Sequence, residues 1–168
     1  ETDKELQKMI QSMMSAQEAD FIAISAADNP VFVAKLLAYS YSDDRKLSFR
    51  ASWTLSRVFD KNPEMIQPYL EDVVEKLDSL DNESTLRSFL RIISLADFSR
   101  ISLKHHGILA DHCFKALNSG FSAIAIKAYS MEIIYKLALI YPELANELAA
   151  SISIIQGEGS AGVKARGN

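Results

Sequence analysis

The chain has 168 residues, 48% hydrophobic and 24% charged, a balance that suits one well-buried domain and excludes a largely disordered chain. A formal net charge of −4 lacks the basic excess of a general nucleic-acid binder, although a local basic strip is compatible with any net charge. Cys113 is the single cysteine, so no internal disulfide can form and a reducing, cytoplasmic setting is expected. The longest apolar run, Ile133 to Tyr141, is interrupted by Lys136 and falls short of the ~18–20 residues of a membrane span.

Helical period runs through the sequence from its first residues. Leu6, Met9, Ile10 and Met13 fall at i, i+3, i+4 and i+7, one stripe of an amphipathic helix. Asn29-Pro30 and Asn62-Pro63 each set a capping side chain before a proline, whose missing N–H is harmless in a first turn. Pro68 starts a second, main segment after a short turn from Pro63. The stretch over 63–78 carries the stripe Ile66, Tyr69, Leu70, Val73, Val74 and Leu77, with Glu71, Asp72, Glu75 and Lys76 opposite. Leu86, Phe89, Leu90 and Ile93 form the next stripe, then Ala110, Cys113, Phe114 and Leu117, which Ser119-Gly120 terminates. Pro142-Glu143 opens the last helix, with Leu144, Leu148, Ile152 and Ile155.

The spacing predicts helices over about 2–14, 16–27, 30–41, 44–60, 63–78, 83–97, 101–118, 121–140 and 142–155. No period-2 run bounded by hairpin turns is present, so the predicted fold is all-α. Residues 1–156 read as a single helical domain. From Gly157 the sequence GEGSAGVKARGN holds four of the six glycines, a composition that cannot fold alone, and 157–168 reads as a tail.

Self-similarity organises the helices. Asp44 precedes Arg50 by six residues, and Asp81 precedes Arg87 by six. Each basic residue follows an apolar one and precedes a small one: Phe49-Arg50-Ala51, Leu86-Arg87-Ser88 and Ile126-Lys127-Ala128. The basic positions lie 37 and then 40 residues apart, a period that suits a helix pair. Asn62-Pro63-Glu64 and Tyr141-Pro142-Glu143 recur at the start of the second helix.

On these residues the chain resembles the HEAT-repeat family over roughly residues 16–156. The resemblance implies a right-handed α-solenoid of about four stacked helix pairs, preceded by an extra N-terminal helix. It also implies a ladder between repeats, onto which Asp44, Arg50, Asp81 and Arg87 map by position. Lys127 takes the basic place in the third unit, where Phe121 stands in place of the acid. Arg50-Ala51-Ser52-Trp53, the Cys113-Phe114 helix, Tyr141-Pro142-Glu143 and Gly159-Ser160-Ala161-Gly162 are similar to a group of small HEAT proteins of Bacteroidetes-type bacteria. Members of that group are sometimes labelled adenylosuccinate lyase.

Candidate chemistry is sparse. Gly159-Ser160-Ala161-Gly162-Val163-Lys164 resembles the signature loop of the fumarase and aspartase superfamily, but the Met-Pro step is missing and Asn168 follows the lysine by four rather than two. His105, His106, Asp111, His112 and Cys113 gather on one predicted helix. His105 and His112 share a face two turns apart, too far to hold one ion, and Cys113 lies on the apolar stripe, where a thiol is inert. No catalytic, cofactor-binding or metal-ligating set is therefore expected. Trp53 is expected as a core wedge between helices.

Arg50–Arg57 and Arg87–Arg91 each share a helix face and raise the nucleic-acid alternative, which the acidic balance disfavours. The second helices of the pairs carry Glu64, Glu71, Asp72, Glu75, Glu143 and Glu147. With Lys164 and Arg166 of the tail, Glu71, Asp72, Glu75, Glu143 and Glu147 form the candidate interaction surface. The expected function is non-enzymatic protein binding through the concave surface, to a partner with a basic segment. Neither nucleic acid nor membrane is the expected partner, and a degenerate lyase is the remaining alternative.

Overall fold

The computed structural model describes residues 3–12 and 15–157, and among these there are helices and turns but no strand. The α-helices are α1 (Asp3–Ser12), α2 (Ala16–Ala26), α3 (Pro30–Ser40), α4 (Arg45–Lys61), α5 (Leu70–Lys76), α6 (Glu83–Leu95), α7 (Leu103–Asn118), α8 (Ile124–Ile140) and α9 (Leu144–Gly157). Short 3₁₀ turns stand at Pro63–Met65, Gln67–Tyr69, Leu77–Ser79 and Phe98–Arg100.

Local chemistry sets most of the starts. Ser15 accepts from the Glu18 N–H ahead of α2, and Asn29 accepts from the Phe32 N–H ahead of α3 at 3.1 Å, with Pro30 in the first turn. Asp44 accepts from the Lys46 and Leu47 N–H groups, both at 3.1 Å, and so caps α4. Ser102 does the same for α7 through the His105 N–H.

Asn62 departs from the expected cap. Its side chain bonds no N–H of the following turn, and its amide instead donates to the Ala27 carbonyl at 2.8 Å. The stretch predicted as one helix over 63–78 is two 3₁₀ turns, then α5, then a third turn. Pro68 explains the break, because it removes a donor and its ring obstructs a continuous α-helix. The helix expected from residue 121 begins at Ile124, after the Ser119–Ala123 connection. Gly157, read as the first tail residue, ends α9.

The contacts divide the chain into two compact units. One comprises the chain to Leu70 together with Leu80–Ile92, the other Glu71–Ser79 together with the chain from Ile93. In the first unit α4 is central and packs on α1, α2 and α3. Its core contains Ile10, Leu36, Leu47, Leu55, Val58, Phe89 and Leu90, all nearly or fully inaccessible. In the second unit α7, α8 and α9 pack on one another around Leu109, Leu117, Ile133, Ile134, Leu137 and Ile155. Val73, Val74 and Leu77 add the buried stripe of α5 and the turn after it.

Trp53 is not the core wedge expected of it. It is half-buried on α4, its ring stacked on Phe49 at 5.5 Å between centroids and 7° between planes. The Arg57 guanidinium lies 5.4 Å from the Trp53 centroid. Residues 49, 53 and 57 share one helical face beside the buried stripe rather than in it.

Candidate interaction surface

Polar side chains tie positions one repeat apart within each unit. In the first unit the Asn82 amide donates to the Arg45 carbonyl at 3.1 Å, and Ser48 and Thr85 share a buried 2.7 Å hydroxyl bond. Arg91 donates to Ser56 at 2.8 Å and to Asp60 at 3.1 Å, and Tyr39 donates to the Asp3 carboxylate at 2.5 Å. In the second unit the Lys136 ammonium donates to the Ser94 and Ala96 carbonyls at 3.0 and 2.8 Å. The partners of these bonds are 31 to 42 residues apart in sequence, bracketing the spacing of the basic positions.

Two of the ladder positions, Asp44 and Arg50, share a neighbour rather than a direct contact. Asp44 caps α4 and accepts from the Gln11 amide at 3.3 Å, while Arg50 donates to the Gln11 carbonyl, so the two meet through Gln11. Among the described residues Asp81 and Arg87 make no ion pair. Lys127 is buried in α8 at 4% exposure.

The histidines of α7 are committed to its neighbours in the second unit. His105 Nε2 donates to the Glu75 carboxylate at 3.1 Å, and in the neutral ring its Nδ1 accepts from the Ser102 hydroxyl at 2.6 Å. Glu71 accepts from the Ser102 N–H at 2.8 Å. His112 Nδ1 donates to Asp78 at 2.6 Å, and Lys115 joins the same carboxylate at 3.3 Å. His106 Nε2 donates to the Phe98 carbonyl at 2.8 Å, since that oxygen can only accept, and in the neutral ring Nδ1 accepts from the Tyr141 hydroxyl at 2.8 Å. All three rings are buried. Cys113 is fully enclosed, and burial pushes its thiol up to about 12, so its thiolate is not available as a nucleophile. Among the described residues no group of three or more His, Cys, Asp or Glu is placed to hold a metal ion.

Bonding from His112, then from Lys115, holds the Asp78 carboxyl below its ordinary 3.8. A carboxylate depressed by folding stabilises fully above its unfolded value, and the contribution disappears as pH falls through the lower folded value. Asp78→Asn is therefore expected to flatten the acid limb of stability. Urea midpoints measured from about pH 6 to about pH 3 should fall less for the variant than for the parent; parallel curves would remove Asp78 from the acid transition.

Of the acids read as an interaction surface, Glu71 and Glu75 thus have internal partners. Asp72, Glu143 and Glu147 are exposed and make no ion pair among the described residues. Lys164, Arg166 and the Gly159–Lys164 loop lie outside the described residues. Of the cations raised for nucleic acid, Arg57 lies 3.7 Å from Asp20, which Lys61 also approaches at 3.0 Å, Arg91 holds Asp60 and Arg50 bonds the Gln11 carbonyl, while Arg87 is exposed without an ion pair among the described residues.

A feature missed in the sequence lies on α8 and α9. Met131, Tyr135, Leu148 and Ile152 line an open groove of about 390 Å³, with Ser94, Glu132 and Lys136 at its polar edge. The available signal was α8 itself, which is apolar on nearly every side, with charges only at Lys127, Glu132 and Lys136. Such a helix either buries more than one face or leaves one apolar face open.

Helices joined in short succession and tied by bonds one repeat apart define a helical-repeat protein of the α-solenoid class. A family model described as a HEAT repeat domain matches residues 6–168, and the chain belongs to that family. No curated protein and no solved structure matches the chain. Among the described residues no helix is long and apolar enough to cross a membrane.

Proposed function

We propose that the chain is a non-enzymatic protein-interaction scaffold of a bacterial cytoplasm, engaging its partner through the second helices of its pairs, the concave side of a HEAT solenoid. The observation that carries this reading is the set of exposed acids, Asp72, Glu143 and Glu147, left without ion pairs among the described residues. Solvated carboxylates of this kind steer a basic partner segment and set its encounter rate. The residues with chemical potential support the same reading from the other side. His105 and His106 are bonded at both ring nitrogens, His112 is bonded to Asp78 through Nδ1, and Cys113 is enclosed. Membership of the HEAT family fits a binding role, which these repeats commonly have. The nucleic-acid alternative loses support from the pairing of Arg57 with Asp20 and of Arg91 with Asp60. The lyase alternative rests on the Gly159–Lys164 resemblance alone.

The test is affinity co-purification with mass spectrometry, run in parallel on the parent and on Asp72→Lys/Glu143→Lys/Glu147→Lys. These sites are exposed, so the fold should tolerate the changes. A protein recovered with the parent and lost with the variant supports the reading. Identical recoveries from both would overturn it.

A further inference from the structure

The first unit holds a helix that is bound to it more than built into it. Of the ten residues of α1 only Leu6 and Ile10 are buried, four apart on one face, while Asp3, Lys4, Glu5, Lys8, Gln11 and Ser12 are exposed. Ten residues fall short of the ~12–15 at which an isolated helix becomes even marginal in water, so α1 owes its form to the surface beneath it. That surface is the flank of α3 and α4.

Polar bonds hold α1 on this seat at both ends. At its first turn, Tyr39 of α3 donates to the Asp3 carboxylate at 2.5 Å, and Lys35 approaches the same group at 3.6 Å. Burial, then the bond to Asp3, pushes the Tyr39 phenol up to about 12, so it stays a hydroxyl with a proton to offer an acid. At its last turn, Arg50 of α4 donates to the Gln11 carbonyl, and the Gln11 amide donates to Asp44 at 3.3 Å. An acid in the first turn and a free carbonyl in the last are features that any amphipathic helix can present. The seat is also not filled. Leu6 shares a cleft of about 160 Å³ with Asn29, Val31, Phe32 and Lys35, and Val31 is 66% exposed.

We infer that the flank of α3 and α4 is a helix-binding site that α1 occupies in cis. In trans it accepts an amphipathic helix of a partner protein, with a carboxylate in the first turn, an aromatic anchor at the place of Leu6 and an aliphatic one at the place of Ile10. Helix-in-groove recognition reads anchors at this spacing. The acid sets direction, because one orientation alone brings it to Tyr39 and Lys35. The built-in competitor is α1, which lowers the partner's affinity by the fraction of chains in which it is seated. The site is independent of Asp72, Glu143 and Glu147 and of the reading built on them.

The test is fluorescence anisotropy on the full chain with labelled peptides spanning Asp3–Ser12, stapled through the exposed positions of Lys4 and Lys8 so that each is helical beforehand. One peptide has the unchanged sequence, one carries Leu6→Phe and one carries Asp3→Lys. The receiving chains are the parent and Leu6→Asp/Ile10→Asp, which unseats α1. The unchanged peptide should bind the double variant about tenfold or more tighter than the parent. On the double variant the Leu6→Phe peptide should bind about threefold or more tighter than the unchanged one, and the Asp3→Lys peptide about tenfold or more weaker. A chain carrying Asp3→Ala, at an exposed side chain, loses the ties to Tyr39 and Lys35 with its seat intact, and should likewise take the unchanged peptide more tightly than the parent. Far-UV circular dichroism melts show that each variant folds, and Asp3→Ala decides the comparison if the double variant does not.

Absence of binding, or equal affinity for the parent and the variants, overturns the inference. An Asp3→Lys peptide as tight as the unchanged one, or a Leu6→Phe peptide no tighter, overturns the partner chemistry. A parent that sediments as a dimer, dissociated by Leu6→Asp/Ile10→Asp, gives the seat to α1 of a second copy and also overturns it.

Discussion

Phe89→Ala is expected to destabilise the first unit by about 3–5 kcal/mol. Phe89 is 1% exposed on α6, and its ring lies 5.8 Å from that of Tyr41. Truncation removes most of a buried aromatic and leaves a cavity that rigid helices close only in part. Trp53→Ala, the larger deletion by volume, should cost only about 1–2 kcal/mol, because the Trp53 ring is half-buried between Phe49 and Arg57. Urea denaturation of both variants against the parent measures the order directly. A greater loss for Trp53→Ala would put the core on the wrong face of α4.

His106→Leu is expected to cost about 2–3 kcal/mol despite being close to volume-conserving. The ring is 4% exposed and satisfies two groups at once, the Phe98 carbonyl and the Tyr141 hydroxyl. Leucine fills the space and strands both partners, and a stranded buried polar group loses its solvation without recompense. Two comparisons separate bonding from packing. Tyr141→Phe removes one partner together with its need, and should cost about 1 kcal/mol or less. Adding Tyr141→Phe to His106→Leu should recover part of the loss, because only the Phe98 carbonyl then remains unpaired. Additive losses in the double variant would show that the hydroxyl bond contributes nothing.

The fold class was legible because apolar spacing at i, i+3, i+4 and i+7 reports on one helix at a time and needs no partner to interpret. The starts of α3 and α5 followed from Asn29-Pro30 and Pro68 for the same reason, since capping and the missing proline N–H act within a turn. Asn62 shows where this local logic stops. Its side chain was free to cap the next turn, and the Ala27 carbonyl, 35 residues away, took it instead. Trp53 repeats the lesson for packing: its type favours burial, but the face of α4 on which it falls is set by Leu47, Ala51, Leu55 and Val58.

The candidate surface divides in the same way. The acidic second helices were visible as a charge pattern, but which acids remain free was not. Glu71 and Glu75 are drawn to Ser102 and His105, whereas Asp72, Glu143 and Glu147 have no such neighbour among the described residues. The groove on α8 and α9 was hidden altogether, because an exposed Tyr135 and a buried Ile134 are adjacent letters of one apolar run.

By itself, then, the sequence determined an all-helical chain with a repeat of about forty residues, its charge and the inertness of its lone thiol's neighbourhood. These follow from periodicity, composition and local backbone chemistry. Only the tertiary structure decided which polar side chains join one repeat to the next, which aromatic is core, and which apolar face stays open. Those outcomes depend on groups 30 to 42 residues apart competing for the same donors, acceptors and space, a competition no local window contains.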